Sequence, residues 1–125
     1  MIPGTLYVVA TPIGNLGDVT LRALEVLRAV GLVAAEDTRL TRRLFVRHSI
    51  DTPLTSFHAR NADRRLGDLL ERLRGGQEIA LVTDAGTPSV SDPGAELVSA
   101  WAMEGGRVVA IPGPSAVVAA VSATG

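Results

Sequence analysis

The chain contains no cysteine, no lysine and only four aromatic residues among its 125 residues. The absence of cysteine excludes disulfide bonds, thiolate zinc sites and cysteine nucleophiles. The absence of lysine excludes a Walker A phosphate-binding loop. Four aromatic side chains are too few for the stacking platforms with which many proteins bind single-stranded RNA; they are Tyr7, Phe45, Phe57 and Trp101.

Long apolar runs and several well-known motifs are missing as well. The longest runs, such as Ala116–Val121, are far shorter than the roughly 20 residues that a membrane-spanning helix needs. Met1–Gly4 lacks the charged region that opens a signal peptide, so we expect a cytoplasmic protein. Neither a Gly-x-Gly-x-x-Gly fingerprint nor a Gly-x-Ser-x-Gly elbow occurs. With His48 and His58 as the histidines and no acidic pair at metal-ligand spacing, we expect no metal site.

The formal net charge of −1 hides an uneven distribution. Nine of the 12 arginines lie between Arg39 and Arg74, where only four acidic residues accompany them, so this block carries a net +5. Residues 1–38 carry a net −2 and residues 75–125 a net −4. The block is consistent either with a solvated, salt-bridged surface or with a patch that binds a phosphate backbone.

Short apolar runs alternate with amphipathic segments along the whole chain. Runs rich in β-formers predict strands at Leu6–Ala10, Leu32–Ala35, Leu54–Phe57, Ile79–Val82 and Arg107–Ile111. Apolar residues at helical spacing predict helices from the cap Thr20 to Val30, at Thr41–His48, Ala62–Leu73 and Ala95–Glu104, and from about Ser115 onward. In the first helix the apolar face would hold Leu21, Leu24, Leu27 and Val30.

The strands are continuous apolar runs rather than alternating ones, as expected for strands buried on both faces. We therefore predict an α/β fold with a mainly parallel sheet of about five strands and helices on both faces. Because residues 122–125 fall within an Ala/Val-rich predicted helix, we expect residues 1–125 to form one domain that a second domain follows.

Ligands of an open parallel sheet bind beyond the carboxyl ends of its strands. Five segments rich in Gly, Pro or small polar residues follow the predicted strands, and glycine lets a backbone approach a ligand closely. Any one of them could be an ordinary turn, but five at one edge favour a site. A cleft built largely from backbone and small side chains suits an adenosine-like cofactor that brings its own reactive group.

Four long motifs within these segments resemble the tetrapyrrole methylase superfamily, and within it the branch of the ribosomal RNA small subunit 2′-O-methyltransferase I. They occur in the family's order and spacing across essentially the whole chain, at Leu6–Leu16, Ala34–Arg39, Asp84–Gly94 and Ile111–Ala116. The resemblance implies the N-terminal α/β domain of a two-domain, homodimeric methyltransferase. It further implies that S-adenosylmethionine is the cofactor and that a cytidine 2′-hydroxyl of 16S rRNA, or of the small ribosomal subunit, is the methyl acceptor.

The resemblance also implies cofactor contacts from three loops of this domain. Carried onto this sequence, they are Ile13, Asp84, Gly86, Thr87, Val90, Ser115 and Ala116. One departure concerns the segment after His58, where the branch has Asn followed by Glu and this chain has Asn61 followed by Ala62 and Asp63. This departure weakens the assignment of a catalytic carboxylate there.

A hydroxyl is a poor nucleophile at neutral pH, so a positioned base would help methyl transfer. The candidates at the predicted edge are Glu36, Asp37 and His58, although the two acids could instead cap the next helix or pair with arginines. Phosphate binding would fall to Arg39, Arg42 and Arg43, and Arg60, Arg64 and Arg65 could act in the same way. Two alternatives stay open: a C-methylase of a tetrapyrrole, and a non-catalytic module that binds a nucleotide or metabolite.

Overall fold

The computed structural model describes residues 2–11, 16–83 and 93–113. Within them lie five strands, β1 (Thr5–Ala10), β2 (Leu32–Ala35), β3 (Leu54–Ser56), β4 (Ile79–Thr83) and β5 (Arg107–Ile111). The α-helices there are α1 (Leu21–Ala29), α2 (Thr38–Arg47), α3 (Ala62–Arg74) and α4 (Pro93–Met103), and a 3-10 turn spans Leu16–Asp18. Each element predicted inside the described ranges is present, whereas the helix predicted from Ser115 lies outside them.

The five strands form one sheet in the order β3-β2-β4-β1-β5, and every pair is parallel. The predicted fold class is thereby confirmed. Parallel strands must be joined by crossovers, and here each crossover whose residues are described contains a helix. None of the described helices is long and apolar enough to cross a membrane.

Successive side chains of each strand point to opposite faces of the sheet, and each face carries two helices. One layer packs α1 and α2 against Val9, Val33 and Val82. The opposite layer packs α3 and α4 against Leu6, Leu32 and Leu81. Burial on both faces explains why the strands are apolar without alternation.

Helix starts follow the polar residue that can cap them. Thr20 Oγ1 accepts a hydrogen bond from the Ala23 N–H at 3.1 Å, which confirms the predicted cap of α1. Helix α2 begins at Thr38, three residues before the predicted start, because Asp37 is its cap. Helix α4 begins at Pro93, two residues early, and proline is well suited to the first helical position.

The apolar face predicted for α1 is wrong at its first residue. Leu24 and Leu27 are buried, and Val30 beyond the helix is too, but Leu21 is 79% exposed. Leu21 is the first residue of the helix, where the chain enters α1 from the carboxyl edge of the sheet.

A surface ion pair joins the carboxyl end of α3 to the residue that follows α4. Arg74 donates two hydrogen bonds to Glu104, each of 2.7 Å. The hydrogen bonds from Arg74 lower the pKa of Glu104 below its ordinary value, with the positive charge of the guanidinium adding to the effect. The pair is exposed, so its contribution to stability is small.

Close packing of Gly106 on Trp101 generates a stability prediction. Trp101 is 2% exposed, and a Cβ on Gly106 would lie 2.1–2.4 Å from three atoms of its indole ring. Gly106→Ala must displace a buried ring, and we expect it to lower the free energy of unfolding by about 1–3 kcal/mol. Urea denaturation measures the change.

The matched control is Gly67→Ala inside α3. A Cβ at Gly67 meets nothing within 4 Å, so the same substitution should raise the free energy of unfolding by about 0.5–1 kcal/mol. Equal effects of the two substitutions would contradict the packing described for Trp101.

Candidate functional site

The loops that leave β2 and β3 turn to opposite faces of the sheet. Strand β2 leads into α2 in one helical layer, and its neighbour β3 leads into α3 in the other. Neighbouring loops that diverge in this way leave a crevice at the carboxyl edge. The same relation holds for the adjacent strands β1 and β4, which lead into α1 and α4.

A cavity of about 720 Å³ occupies the edge beyond β2 and β3. It is lined by Glu36, Asp37, Thr38 and Arg39 from the first loop and by Ser56, His58, Ala59 and Arg60 from the second. The structure thus brings all three predicted catalytic residues and one predicted phosphate-binding arginine to one cavity. A 2.8 Å hydrogen bond from the Phe57 N–H to the Ala35 carbonyl joins the backbones of the two segments where the loops begin.

Asp37 is held in a structural role. Its Oδ1 accepts a 3.0 Å hydrogen bond from the Arg39 N–H and lies 3.6 Å from Arg39 Nε. The prediction that Asp37 caps the following helix is therefore confirmed. Glu36, one residue earlier, is exposed at the cavity, so its carboxylate is the more accessible of the two to a ligand.

His58 lies in the loop between β3 and α3. Its Nδ1 is buried and has no hydrogen-bond partner within the described residues. Its backbone N–H donates to Asn61 Oδ1 at 2.9 Å. A buried polar atom without a partner costs free energy, and such atoms in native proteins mark strain, a chemical role or a bound solvent molecule.

Two threonines tie the carboxyl ends of β1 and β4 together. Thr11 Oγ1 donates to the Thr83 carbonyl at 3.0 Å, and the Thr11 N–H reaches the same oxygen at 3.1 Å. The hydroxyl of Thr83 is buried and has no partner among the described residues. Beside them, Gly113 follows β5, and a Cβ there would lie 2.9 Å from the Ala10 carbonyl oxygen, so only glycine fits this close approach.

The three arginines predicted to bind phosphate, Arg39, Arg42 and Arg43, lie on helix α2 and are here called the arginine strip. Arg39 lines the 720 Å³ cavity with a side chain that is 90% exposed. Arg42 lines a second cavity of about 390 Å³ between α2 and β3, and Arg43 is exposed. Arg60 lines the first cavity from its other loop and is exposed, so the two loops each bring one arginine to this cavity. Arg64 is exposed on α3.

The family model of tetrapyrrole (corrin/porphyrin) methylases matches residues 5–125. The chain belongs to this family.

Curated relatives narrow the similarity to one branch of the tetrapyrrole methylases. The chain is 54% identical over 125 residues to a protein of Pseudomonas aeruginosa named ribosomal RNA small subunit methyltransferase I, covering 100% of this chain and 44% of that protein. Proteins of the same name are 52% identical in Escherichia coli O157:H7 and 48% in Bacillus subtilis, each over 98% of this chain and 43% or 42% of the relative. The chain thus spans less than half the length of these relatives.

Solved tetrapyrrole methylases share the fold. A cobalt precorrin-4 methyltransferase superposes with a TM-score of 0.74 at 20% identity over 95% of this chain and 49% of its own. Uroporphyrin-III-C-methyltransferase from Thermus thermophilus gives 0.72 at 23% identity, covering 96% and 52%. At these identities the likeness establishes the fold alone.

The residues predicted to contact the cofactor lie outside the described residues. They are Ile13, Asp84, Gly86, Thr87, Val90, Ser115 and Ala116. The neighbouring residues that the structure does describe are Thr11, Thr83 and Gly113. Within the described ranges no group of three or more His, Cys, Asp or Glu residues could hold a metal ion.

Sequence reasoning missed the importance of Asn61, which it treated only as part of a motif. Asn61 is 7% exposed, and its side chain contacts both Ser56 and His58. The available signal was its position, because a small polar residue directly before an amphipathic helix is typical of a capping residue. The departures that follow it are structural: Ala62 is buried, and Asp63 is exposed in the first turn of α3.

The cap at Asp37 generates a second stability prediction. Asp37→Ala removes the acceptor for the Arg39 N–H, and we expect a loss of about 1 kcal/mol in the free energy of unfolding. Asp37→Ser should stay within a few tenths of a kcal/mol, because serine caps helices about as well as aspartate. Urea denaturation of both variants measures the difference. An alanine variant as stable as the serine variant would contradict the assignment.

Proposed function

We propose that residues 1–125 form the N-terminal domain of a two-domain methyltransferase that transfers a methyl group from S-adenosylmethionine to the 2′-hydroxyl of a cytidine in 16S rRNA. The observation that carries the proposal is the cavity beyond β2 and β3. There Glu36 and His58, which can take up a proton, lie beside Arg39 and Arg60, which can bind phosphate. The names of the relatives support an acceptor in the small ribosomal subunit, and their greater length supports a second domain.

The crevice beyond β1 and β4 fits the proposed cofactor. The hydroxyl of Thr83 has no partner among the described residues and offers a hydrogen-bonding group. Gly113 lies so close to Ala10 that no side chain projects from it there. In the sequence, Ile13, Gly86 and Ser115 follow β1, β4 and β5, whose carboxyl ends share this edge. When bound, S-adenosylmethionine supplies an electrophilic methyl group on a sulfonium, so the protein needs no covalent nucleophile of its own.

The chain's own residues must align the ribose hydroxyl and remove its proton. His58 and Glu36 are the groups we propose for the proton, because Asp37 is engaged as the cap of α2. His58 lies two residues beyond β3, next to Phe57, whose N–H is hydrogen-bonded to the end of β2. Glu36 directly follows β2.

The arginines would recognise the phosphate backbone rather than the bases. With four aromatic residues in the chain, stacking cannot supply the affinity, whereas the strip Arg39, Arg42 and Arg43 can neutralise phosphates. The proposal includes a homodimer in the cytoplasm, as the family resemblance implies.

Methyl transfer by the full-length protein tests the proposal. Labelled S-adenosylmethionine is offered with undermethylated small ribosomal subunits, with free 16S rRNA and with a tetrapyrrole precursor. We expect label in the ribosomal RNA, on the 2′-oxygen of one cytidine after nuclease digestion. Label in the tetrapyrrole alone would favour a C-methylase, and cofactor binding without transfer to any acceptor would favour a non-catalytic module.

The arginine strip generates a quantitative prediction. Each phosphate contact contributes about 0.7 to the slope of log Kobs against log salt concentration on single-stranded nucleic acid. Replacing Arg39, Arg42 and Arg43 with alanine should reduce that slope by up to about 2 and weaken RNA binding. Filter binding of 16S rRNA at several salt concentrations measures the slope.

The control is Arg107→Ala at the amino end of β5, on the opposite edge of the sheet. We expect it to leave the slope unchanged, whereas Arg39→Ala alone should lower the slope by about 0.7. A triple variant with the slope of the unaltered protein would assign the strip to the solvated surface.

A further inference from the structure

Asn61 makes hydrogen bonds to Ser56, the last residue of β3, and to His58 in the loop between β3 and α3. Its Oδ1 accepts the His58 N–H at 2.9 Å, and its backbone N–H donates to the His58 carbonyl at 3.1 Å. Its Nδ2 donates to Ser56 Oγ at 2.9 Å and lies 3.3 Å from the Ser56 carbonyl. Residues 56–61 are thus closed into a ring of hydrogen bonds around one buried side chain.

This arrangement leaves helix α3 without a side-chain cap. Asn61 is the N-cap residue of α3, yet its side chain makes no capping hydrogen bond. The N-cap side chains of α1 and α2 both accept from their own helix. A missing cap destabilises the start of a helix. The Asn61 side chain could cap α3, but it hydrogen-bonds to the loop instead. Its hydrogen bonds therefore stabilise the loop rather than the start of the helix.

The same amide also faces the imidazole. Asn61 Nδ2 lies 3.5 Å from His58 Nε2, and an amide nitrogen can only donate. One of its two N–H groups is on Ser56 Oγ, and the other is shared between the Ser56 carbonyl and Nε2. A donor at this position favours the tautomer in which Nε2 carries the lone pair and Nδ1 carries the proton. Because Nδ1 is buried, a proton from a ligand would go to Nε2, where it would replace the long 3.5 Å contact with Asn61.

We propose that Asn61 is a positioning residue for His58: it fixes the loop that presents the ring at the cavity and selects the tautomer with a basic Nε2. This inference rests on the proposed function in one respect, the use of His58 as the proton acceptor. The loop geometry and the tautomer can be measured without any methyl transfer.

Asn61→Ser separates positioning from stability. Serine is a good N-cap, so α3 regains a cap and the unfolding midpoint of the full-length protein should stay the same or rise. Serine lacks both the amide donor and the reach of Oδ1, so kcat for methyl transfer should fall about 10–100-fold with KM for S-adenosylmethionine unchanged. Asn61→Ser with undiminished kcat would overturn the proposal.

Asn61→Asp tests the amide alone, because it keeps an oxygen for the His58 N–H but replaces the donor with a carboxylate. A carboxylate beside the ring stabilises its protonated form, so the acid limb of the pH–kcat profile should move to higher pH. The other charged groups at this cavity are Glu36, Asp37, Arg39 and Arg60, and neither variant alters them. An unshifted acid limb would overturn the proposal.

Nitrogen-15 spectra of the imidazole rings give a readout that does not depend on activity. Protonated and bare ring nitrogens have well-separated shifts, and a His58→Gln variant assigns the signals against those of His48. We expect the Nδ1–H tautomer for His58 at alkaline pH, and a loss of that preference in Asn61→Ser and Asn61→Asp. An unaltered tautomer in both variants overturns the positioning role, whereas absent methyl transfer by the unaltered protein overturns only the proposed function.

Discussion

The parallel pairing of all five strands is the constraint on which the rest of the structure depends. A parallel strand cannot return through a tight turn, so the chain must cross the sheet between strands, and these crossovers cover both faces. The central strands β1, β2 and β4 are then buried and are apolar at nearly every position, whereas the edge strands β3 and β5 are partly exposed. The residues just beyond each strand are free of this requirement, and the carboxyl ends of all five strands meet at one edge.

The distribution of helices decides where that edge opens. Strands β2 and β3 are neighbours, but α2 packs in one layer and α3 in the other. Their loops must therefore part, and the cavity with Glu36 and His58 lies where they do. Strands β1 and β4 are hydrogen-bonded neighbours that likewise lead into helices of opposite layers, α1 and α4. Their carboxyl ends share the edge with those of β2 and β3.

The sequence was sufficient for the fold class and for the residues that share the cavity, because both follow from local patterns. Apolar runs predict parallel strands, and their carboxyl ends predict the meeting of Glu36, Asp37 and His58. The strand order β3-β2-β4-β1-β5 could not be predicted from the sequence, because crossovers that skip a strand leave no local signal. Leu21 fits the helical spacing of a buried face, but spacing does not reveal at which residue burial of that face begins.

The direction in which a side chain turns was also beyond sequence reasoning. Thr20, Asp37 and Asn61 are all small polar residues before a helix, and propensity treats them alike. The first two cap their helices, and the third turns back to its loop. That difference depends on Ser56 and His58, which β3 places within reach of the amide.

The unsatisfied buried polar atoms in the described part of the chain also lie at the carboxyl edge of the sheet. The buried side-chain atoms without a partner there are His58 Nδ1 and Thr83 Oγ1, and both belong to residues at the carboxyl edge. Leaving a buried polar atom unpaired costs about 1–3 kcal/mol. The missing side-chain cap on α3 costs free energy as well. A fold selected for stability alone would remove these costs with an apolar residue at position 83 and a capping serine at position 61. Their concentration at one edge is expected if the geometry of that edge is kept for a ligand rather than for the stability of the domain.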